Sequence, residues 1–397
     1  MMKCPQVIGE ILSGIILGPS ILGFIKPEVY QNIFSNFKGQ DQVLSLFYWT
    51  GLILLMFCSG FKIKNKVNIQ DRKIILYLLI SSTILPFIGS YIYTKCYDFT
   101  SYQGINANNL NLYLLVATAV SVTSIPVISR IFIDINIIKS HFAKIVIFTA
   151  TIQDIFLWVI LSFVTKEITN SQTPIISTAI FTIFFITFFL TIGVKIFNKI
   201  KFDSFLKIPS TIYILTICFI ICAISYSLGM NLIFGALIAG IIVGNFREKK
   251  FIEAKKNINK IALSFFIPVY FSIVGLKINM SLHFDYAFFL SFISISTLLE
   301  FSCIFLTLLL LKQTLLTSFN FSVAMNTRGG PGIVLACVAL DYKIINETFF
   351  VTLVLSAILT SFLSGLWFNY CVNKKLVLYD KYNEVNKLLK NKRSIKI

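Results

Sequence analysis

Charged side chains are scarce in this chain, and so are the groups that enzymes use. Only 13% of its 397 residues are Asp, Glu, Lys or Arg, against about 25% in soluble globular domains. There are two histidines, and the eight cysteines are scattered without a Cys-x-x-Cys pair. No glycine-rich phosphate-binding pattern occurs. These absences argue against a soluble enzyme, a zinc module or a nucleotide-binding domain, and no cofactor is expected.

Long apolar runs take up most of the sequence instead. Hydrophobic residues make up 56% of the chain, and the runs are far longer than the strands of a membrane β-barrel. The sequence therefore predicts an all-α, polytopic membrane protein with about twelve transmembrane helices, in one domain over 1–373 followed by a short basic tail, 374–397. The predicted segments are 7–24, 43–61, 74–95, 110–129, 141–165, 175–198, 208–228, 231–245, 261–279, 287–311, 317–340 and 348–373.

The net charge of +18 is distributed as in a membrane protein rather than a nucleic-acid-binding protein. Lys and Arg concentrate in alternate connections between the apolar runs, at 62–73, 130–144, 195–207 and 247–260. Cytoplasmic loops carry such an excess. The pattern places both termini in the cytoplasm and predicts an integral protein of the lipid bilayer, in a bacterial inner or cell membrane, with no nucleic-acid partner.

Asp154 lies in the middle of the fifth apolar run and is the most informative single residue. A carboxylate at bilayer depth costs roughly 2.5–3.5 kcal/mol on insertion scales, and it is usually kept where a charge is bound or moved. The alternative is a buried Asp that pairs with a neighbouring helix for packing. Glu300 in the tenth segment and Arg328 in the eleventh are also charges inside apolar runs, so all three are candidate site residues.

Two apolar segments carry helix-breaking residues at mid-span. The fourth contains Ser121-Val122-Thr123-Ser124-Ile125-Pro126, and the eleventh contains Asn326-Thr327-Arg328-Gly329-Gly330-Pro331-Gly332. Proline removes a backbone donor and disfavours helix before it. Broken helices at matching positions of inverted repeats mark the binding site of many transporters, and segments 3–5 and 10–12 would be these repeats. A simple proline kink is the alternative for either break.

Two small-residue spacings allow close approach of helices. They are Gly14-x-x-x-Gly18 and Gly240-x-x-x-Gly244. Packing within the chain and a dimer face are both open for each.

Several stretches together are similar to the motifs of one transporter family. They are 5–20, 123–130, Gln153-Asp154, 266–271 with Gly275-Leu276, and 326–336. Through them the chain resembles the second family of monovalent cation:proton antiporters, which are sodium or potassium/proton antiporters, from residue 5 to about 370. The resemblance implies a core with two crossed, broken helices and a separate dimerisation domain, and hence a homodimer.

The resemblance also implies roles for individual residues. Asp154 would hold a proton or a metal cation, Na⁺ or K⁺, in turn, and Thr123 and Ser124 would line the site at the unwound helix. The core helices would lie at about 74–165 and 287–373, with the remaining helices as scaffold.

The departures from the family pattern refine this prediction. Many relatives have two adjacent aspartates where this chain has Gln153-Asp154, which predicts one proton per cation and electroneutral exchange. Glu300 replaces a lysine that relatives often carry, and we expect it to balance the charge of Arg328. Compared with the family pattern, we also expect the helix that usually comes first to be missing and no nucleotide-binding domain to follow.

The predicted function is secondary active exchange of Na⁺ or K⁺ for H⁺ by competition at Asp154. Two alternatives from other classes stay open. A cation channel would need a continuous wet pathway with a filter, and no repeated filter sequence is visible. A shortened membrane interaction protein without transport activity is the other alternative.

Overall fold

The computed structural model describes residues 6–34, 39–61, 71–168, 209–227, 232–246 and 248–379. Within these ranges the chain is almost entirely helical, and the β-type pairing is an isolated bridge between Gln103 and Ile345. The α-helices are α1 Gln6–Leu17, α2 Leu22–Ile25, α3 Pro27–Phe34, α4 Gln40–Gly60, α5 Arg72–Leu79, α6 Leu85–Cys96, α7 Asn109–Val120, α8 Ile125–Asp134, α9 His141–Ile168, α10 Ser210–Ser227, α11 Leu232–Gly244, α12 Lys249–Ile261, α13 Ile267–Leu276, α14 Met280–His283, α15 Tyr286–Leu310, α16 Leu315–Met325, α17 Gly329–Asp341 and α18 Glu347–Asn373.

The apolar helices correspond to the predicted segments. Ten helical stretches in the described ranges are long and apolar enough to cross a bilayer, and α11 is a shorter apolar helix. Together they coincide with all of the predicted segments except 175–198, which lies outside the described residues, as does most of the tail. The all-α membrane architecture is therefore confirmed, whereas the count of twelve stays a prediction.

The segment predicted at 261–279 begins earlier than its hydropathy indicates. Helix α12 starts at Lys249 and continues through a π-helical turn, Ala262–Phe266, into α13. Ala254 and Ile258 are buried, while Lys256 and Lys260 are exposed. An amphipathic helix of this kind has a low mean hydropathy, so a criterion based on apolar runs assigns it to a loop.

The helices pack in two groups. In the first group α4 lies along α11, α1 lies along α13, and α10 packs on α11 and α12. In the second group α7 packs on α6 and α9, α16 on α15, and α17 on α18 and α8. The main helix contacts between the groups are those of α9 with α11 and of the short α14 with α18. Such a division is what a moving core and a fixed scaffold require, and that assignment stays a prediction.

Glycines bring the helices of the first group close together. A Cβ atom on Gly14 would overlap the Ser272 carbonyl of α13, and one on Gly240 would overlap the Phe57 carbonyl of α4. Both small-residue spacings therefore pack helices within the chain.

Polar contacts gather at the two ends of the helix bundle. At one end Lys277 Nζ lies 3.0 Å from Asp341 Oδ1, and we call this end the Lys277 face. At the other end His141 Nε2 lies 3.0 Å from Asp71 Oδ1, and we call it the His141 face. The distribution of basic residues predicts that the His141 face is cytoplasmic.

Candidate functional site

The first break separates α7 from α8. Helix α7 ends at Val120 and α8 begins at Ile125, so 121–124 is not helical. Ser124 caps α8 by accepting a hydrogen bond from Val127 N at 3.3 Å. Pro126 lies in the first turn of α8, where its missing N–H removes no helical hydrogen bond. The interruption thus precedes the proline.

The second break separates α16 from α17. Residues 326–328 lie between Met325 and Gly329, and Gly330 and Pro331 belong to the first turn of α17. Gly329 has a φ of +33°, which favours glycine. A Cβ there would also overlap Val127, whereas the space around Gly330 is ordinary. Of the adjacent glycines, Gly329 is the one that the geometry requires.

The two breaks lie against each other. Ser124 N donates to the Thr327 carbonyl at 2.5 Å, and Thr123 Oγ1 donates to the Met325 carbonyl at 2.5 Å. The N-termini of α8 and α17, which carry partial positive charge, therefore meet the C-termini of α7 and α16, which carry partial negative charge. The predicted crossing of the two broken helices stays a prediction.

Ser124 serves both breaks with one hydroxyl. Its Oγ accepts from Val127 N of α8 and from Gly330 N of α17, the latter at 3.1 Å. A hydroxyl oxygen has two lone pairs, and both are used here. The Thr123 hydroxyl instead acts as a donor and keeps its lone pairs. Of the two predicted site hydroxyls, Thr123 is the one with acceptor capacity left for a ligand.

Asp154 is held inside the second group by α9. Its side chain is 3% exposed, and α9 packs against α5, α7, α8 and α16. Asp154 Oδ1 is buried and has no hydrogen-bond partner in the described part of the chain. A buried polar oxygen without a donor is costly, and a bound proton or cation would offset that cost.

Gln153 joins α9 to two neighbouring elements. Its Nε2 donates to the Ser82 carbonyl at 3.0 Å and also to the Ser121 carbonyl. Ser82 lies in a π-helical turn, Ile80–Ile84, between α5 and α6, and Ser121 follows α7 at the first break. An ionised carboxylate at 153 could not donate these hydrogen bonds, which gives a physical reason for an amide beside Asp154.

The π-helical turn adds polar residues that the sequence prediction misses. Turns of this type are frequent at functional sites, and Ser82 is already linked to the first break through Gln153. The signal in the sequence is the polar run Ser81-Ser82-Thr83 inside the third apolar segment. The buried oxygens of this region that lack a hydrogen-bond partner among the described residues are Ser82 Oγ, Thr83 Oγ1, Ser121 Oγ, Thr149 Oγ1 and Gln153 Oε1.

Arg328 and Glu300 form a buried ion pair at the second break. Arg328 Nη2 lies 3.9 Å from Glu300 Oε2, and the two side chains are 3% and 0% exposed. Arg328 Nη1 donates to Ser296 Oγ at 2.7 Å. Within the described ranges neither Glu300 oxygen accepts a hydrogen bond, so the two side chains attract each other by charge without a direct hydrogen bond.

The predicted site residues thus form two connected clusters. Thr123, Ser124 and Gly330 meet at the junction of the breaks, and Gln153 ties the helix of Asp154 to that junction. Arg328 belongs to the second cluster, because its hydrogen bonds go to Ser296 and Thr360.

A family model matches nearly the whole chain. The model is described as "Sodium/hydrogen exchanger, transmembrane", and the match covers residues 1–374.

Relatives with described functions are similar over about nine-tenths of the chain. Cation/H(+) antiporter 18 of Arabidopsis thaliana is 25% identical over 91% of this chain, and K(+)/H(+) antiporter 1 of Saccharomyces cerevisiae is 28% identical over 92%. The chain spans only 45% and 43% of the length of these two proteins. Na(+)/H(+) antiporter NhaS4 of Synechocystis is 25% identical, with 91% of this chain and 89% of that protein covered.

A solved structure shares the fold. The sodium proton antiporter MjNhaP1 from Methanocaldococcus jannaschii, determined at pH 8, superposes with a TM-score of 0.58 at 15% identity. The match covers 93% of this chain and 92% of that protein.

Proposed function

Because the chain belongs to the sodium/hydrogen exchanger family, we propose that it exchanges a monovalent cation, Na⁺ or K⁺, for protons across the membrane. The observation that carries the proposal is the buried Asp154 oxygen without a donor, next to Gln153, which is bonded to the first break. The names of the relatives, which are cation/H(+), K(+)/H(+) and Na(+)/H(+) antiporters, support this substrate class.

Asp154 holds a proton or a cation in turn. Burial disfavours the ionised form of a carboxylate, and a bound cation favours it. The two ligands therefore compete for one group, and each displaces the other as the proton concentration changes. Alternating exposure of the site to the two sides of the membrane then couples the cation flux to a proton flux in the opposite direction.

Neutral oxygens complete the coordination of the cation. A cation that leaves water needs several oxygen ligands, and Ser82, Thr83, Ser121 and Gln153 each have a buried oxygen that lacks a partner in the described structure. Thr123 adds the lone pairs of its hydroxyl. Ser124 positions the two broken helices instead, because its oxygen is fully used by Val127 N and Gly330 N.

Exchange is electroneutral in this proposal. Glu300 is offset by Arg328 at 3.9 Å, so the charge that changes during the cycle is that of Asp154. One carboxylate takes either one proton or one monovalent cation, and no net charge crosses the membrane. Transport currents, or rates that follow an imposed voltage, would contradict this stoichiometry.

Movement of the second helix group against the first carries the site across the barrier. Helix packing is more extensive within each group than between the groups, and buried apolar side chains of both groups share one core, so the second group would slide along an apolar interface. The first group acts as the scaffold, and the homodimer would form through it.

Dequenching of a pH-sensitive dye in proteoliposomes tests the proposal. With an imposed pH gradient, Na⁺, K⁺ and Li⁺ are added in turn, and we expect at least Na⁺ or K⁺ to dissipate the gradient. The matched control for Asp154→Asn is Asp98→Asn, which removes an exposed carboxylate and keeps an oxygen that can accept the hydrogen bonds from Thr100, so it should keep wild-type rates. Cation flux without proton counter-flux would assign a channel instead, and the absence of any flux would overturn both assignments.

A further inference from the structure

We propose that Lys277, Asp341 and Tyr48 form a latch between the two helix groups on the Lys277 face, and that the latch opens in each transport cycle. The proposal rests on the exchange activity proposed above. It assigns these three residues to the positioning of the site helix rather than to binding of the cation.

The latch joins three helices by three contacts. Lys277 follows α13, Tyr48 belongs to α4, and Asp341 is the last residue of α17. Lys277 Nζ donates to Asp341 Oδ1 at 3.0 Å, and the Tyr48 hydroxyl donates to Asp341 Oδ2 at 3.2 Å. The ammonium also lies 4.1 Å from the centre of the Tyr48 ring, within cation–π range. Both oxygens of Asp341 are thus bound by the first group.

Helix α17 connects the latch to the candidate site. Its first residue, Gly329, lies at the junction of the breaks, and its last residue, Asp341, lies in the latch. The helix has 13 residues and is therefore about 20 Å long. A bond at its far end to the first group fixes where the second break sits relative to the scaffold.

Lys277 and Asp341 can separate at little cost. The Lys277 and Asp341 side chains are 32% and 28% exposed, and a cavity of about 330 Å³ lies beside them. Water can therefore solvate both charges once they separate, and such pairs contribute little net stability. The Arg328–Glu300 pair is buried, so separating it would leave two unsolvated charges.

The test measures the half-saturating cation concentration from each face in proteoliposomes sorted by protein orientation. Lys277→Gln and Asp341→Asn should each favour the state open at the Lys277 face. We expect the half-saturating concentration to fall about two- to fivefold there, and to rise at the His141 face, as a population shift requires.

The charge swap Lys277→Asp with Asp341→Lys should restore both values. Lys343→Gln removes an exposed charge close to Asp341 without touching the latch, and should match wild type.

Hydrogen exchange in nanodiscs supplies a readout that does not depend on transport. The backbone amides at 338–341 should exchange about two- to fivefold faster in both single variants, and the swap should return them to the wild-type rate. Unchanged hydrogen exchange, or equal half-saturating concentrations in all variants, would overturn the latch even if the wild type transports. If the wild type does not transport but hydrogen exchange responds as expected, the contact still ties the two groups together, while the proposed function and the opening in each transport cycle fail.

Discussion

The two breaks each interrupt a helix of the second group, but their chemistry is opposite. The first break is rich in hydroxyl groups and accepts a hydrogen bond from Gln153. Asp154, the next residue, has an Oδ1 that lacks a partner in the described part of the chain. The second break contains Arg328, which is paired with Glu300 at 3.9 Å. Both carboxylates are buried, and the difference between them is a tethered cation. In the proposed exchange, the Asp154 carboxylate is therefore left for a mobile ion, while the Glu300 carboxylate is compensated by Arg328.

In the proposed exchange, this difference assigns the transported ion to Asp154 rather than to Glu300. A cation approaching Glu300 has to compete with a guanidinium that is held in place by Ser296 at 2.7 Å. A cation approaching Asp154 meets no tethered competitor among the described residues. Transport should therefore respond to changes at Asp154, whereas stability should respond to changes at Glu300 and Arg328.

The largest expected effect is that of Asp154→Asn. The amide cannot release a proton or bind a cation by charge, so exchange should fall to background in the dequenching assay while the protein keeps its thermal stability. Glu300→Gln is the comparison, and it should retain measurable exchange at a temperature where it stays folded. If exchange is retained in Asp154→Asn but lost in a folded Glu300→Gln, Glu300 rather than Asp154 carries the transported ion.

The next effect is on stability at the second break. Glu300→Gln and Arg328→Gln each leave one buried charge without its partner, which costs roughly 3–5 kcal/mol when the site is dry. The double variant removes both charges and should recover part of the loss. Thermal unfolding of all four proteins in detergent gives the coupling energy. Simply additive losses would mean that the two charges do not interact.

Much of this comparison can be read from the sequence, because charges and helix breakers stand out in apolar runs. Asp154, Glu300 and Arg328 are visible in this way, and so are both breaks. The hydrogen-bonding roles are not visible, because their partners lie far away along the chain: Ser124 binds Gly330 at a separation of 206 residues, and Gln153 binds Ser82 at a separation of 71. The amphipathic α12 is missed for another reason: its exposed lysines lower the mean hydropathy, so the buried face does not stand out as an apolar run.

A smaller effect separates the two adjacent glycines of the second break. Gly329→Ala places a Cβ against Val127 at a positive φ, and a misfit of this kind destabilises by more than about 1 kcal/mol. Gly330→Ala meets no atom closer than 3.8 Å and should be nearly neutral. Thermal unfolding and exchange rates of the pair check this. Equal behaviour of the two variants would mean that the junction does not depend on the close approach of α17 to α8.

The smallest effect concerns the π-helical turn beside the first break. Ser82→Ala and Thr83→Ala each remove one neutral oxygen that lacks a partner within the described ranges. If these oxygens bind the cation, each loss of about 1 kcal/mol raises the half-saturating cation concentration about fivefold and leaves proton binding at Asp154 intact. Ser81→Ala is the matched control, because the Ser81 hydroxyl is buried in the same turn and already donates to the Leu78 carbonyl at 3.3 Å. The measurement is the cation dependence of exchange at fixed pH, together with thermal unfolding. Equal shifts in all three variants would mean that the turn contributes packing and no ligand. The ion would then be coordinated by Asp154, Gln153 and the first break alone.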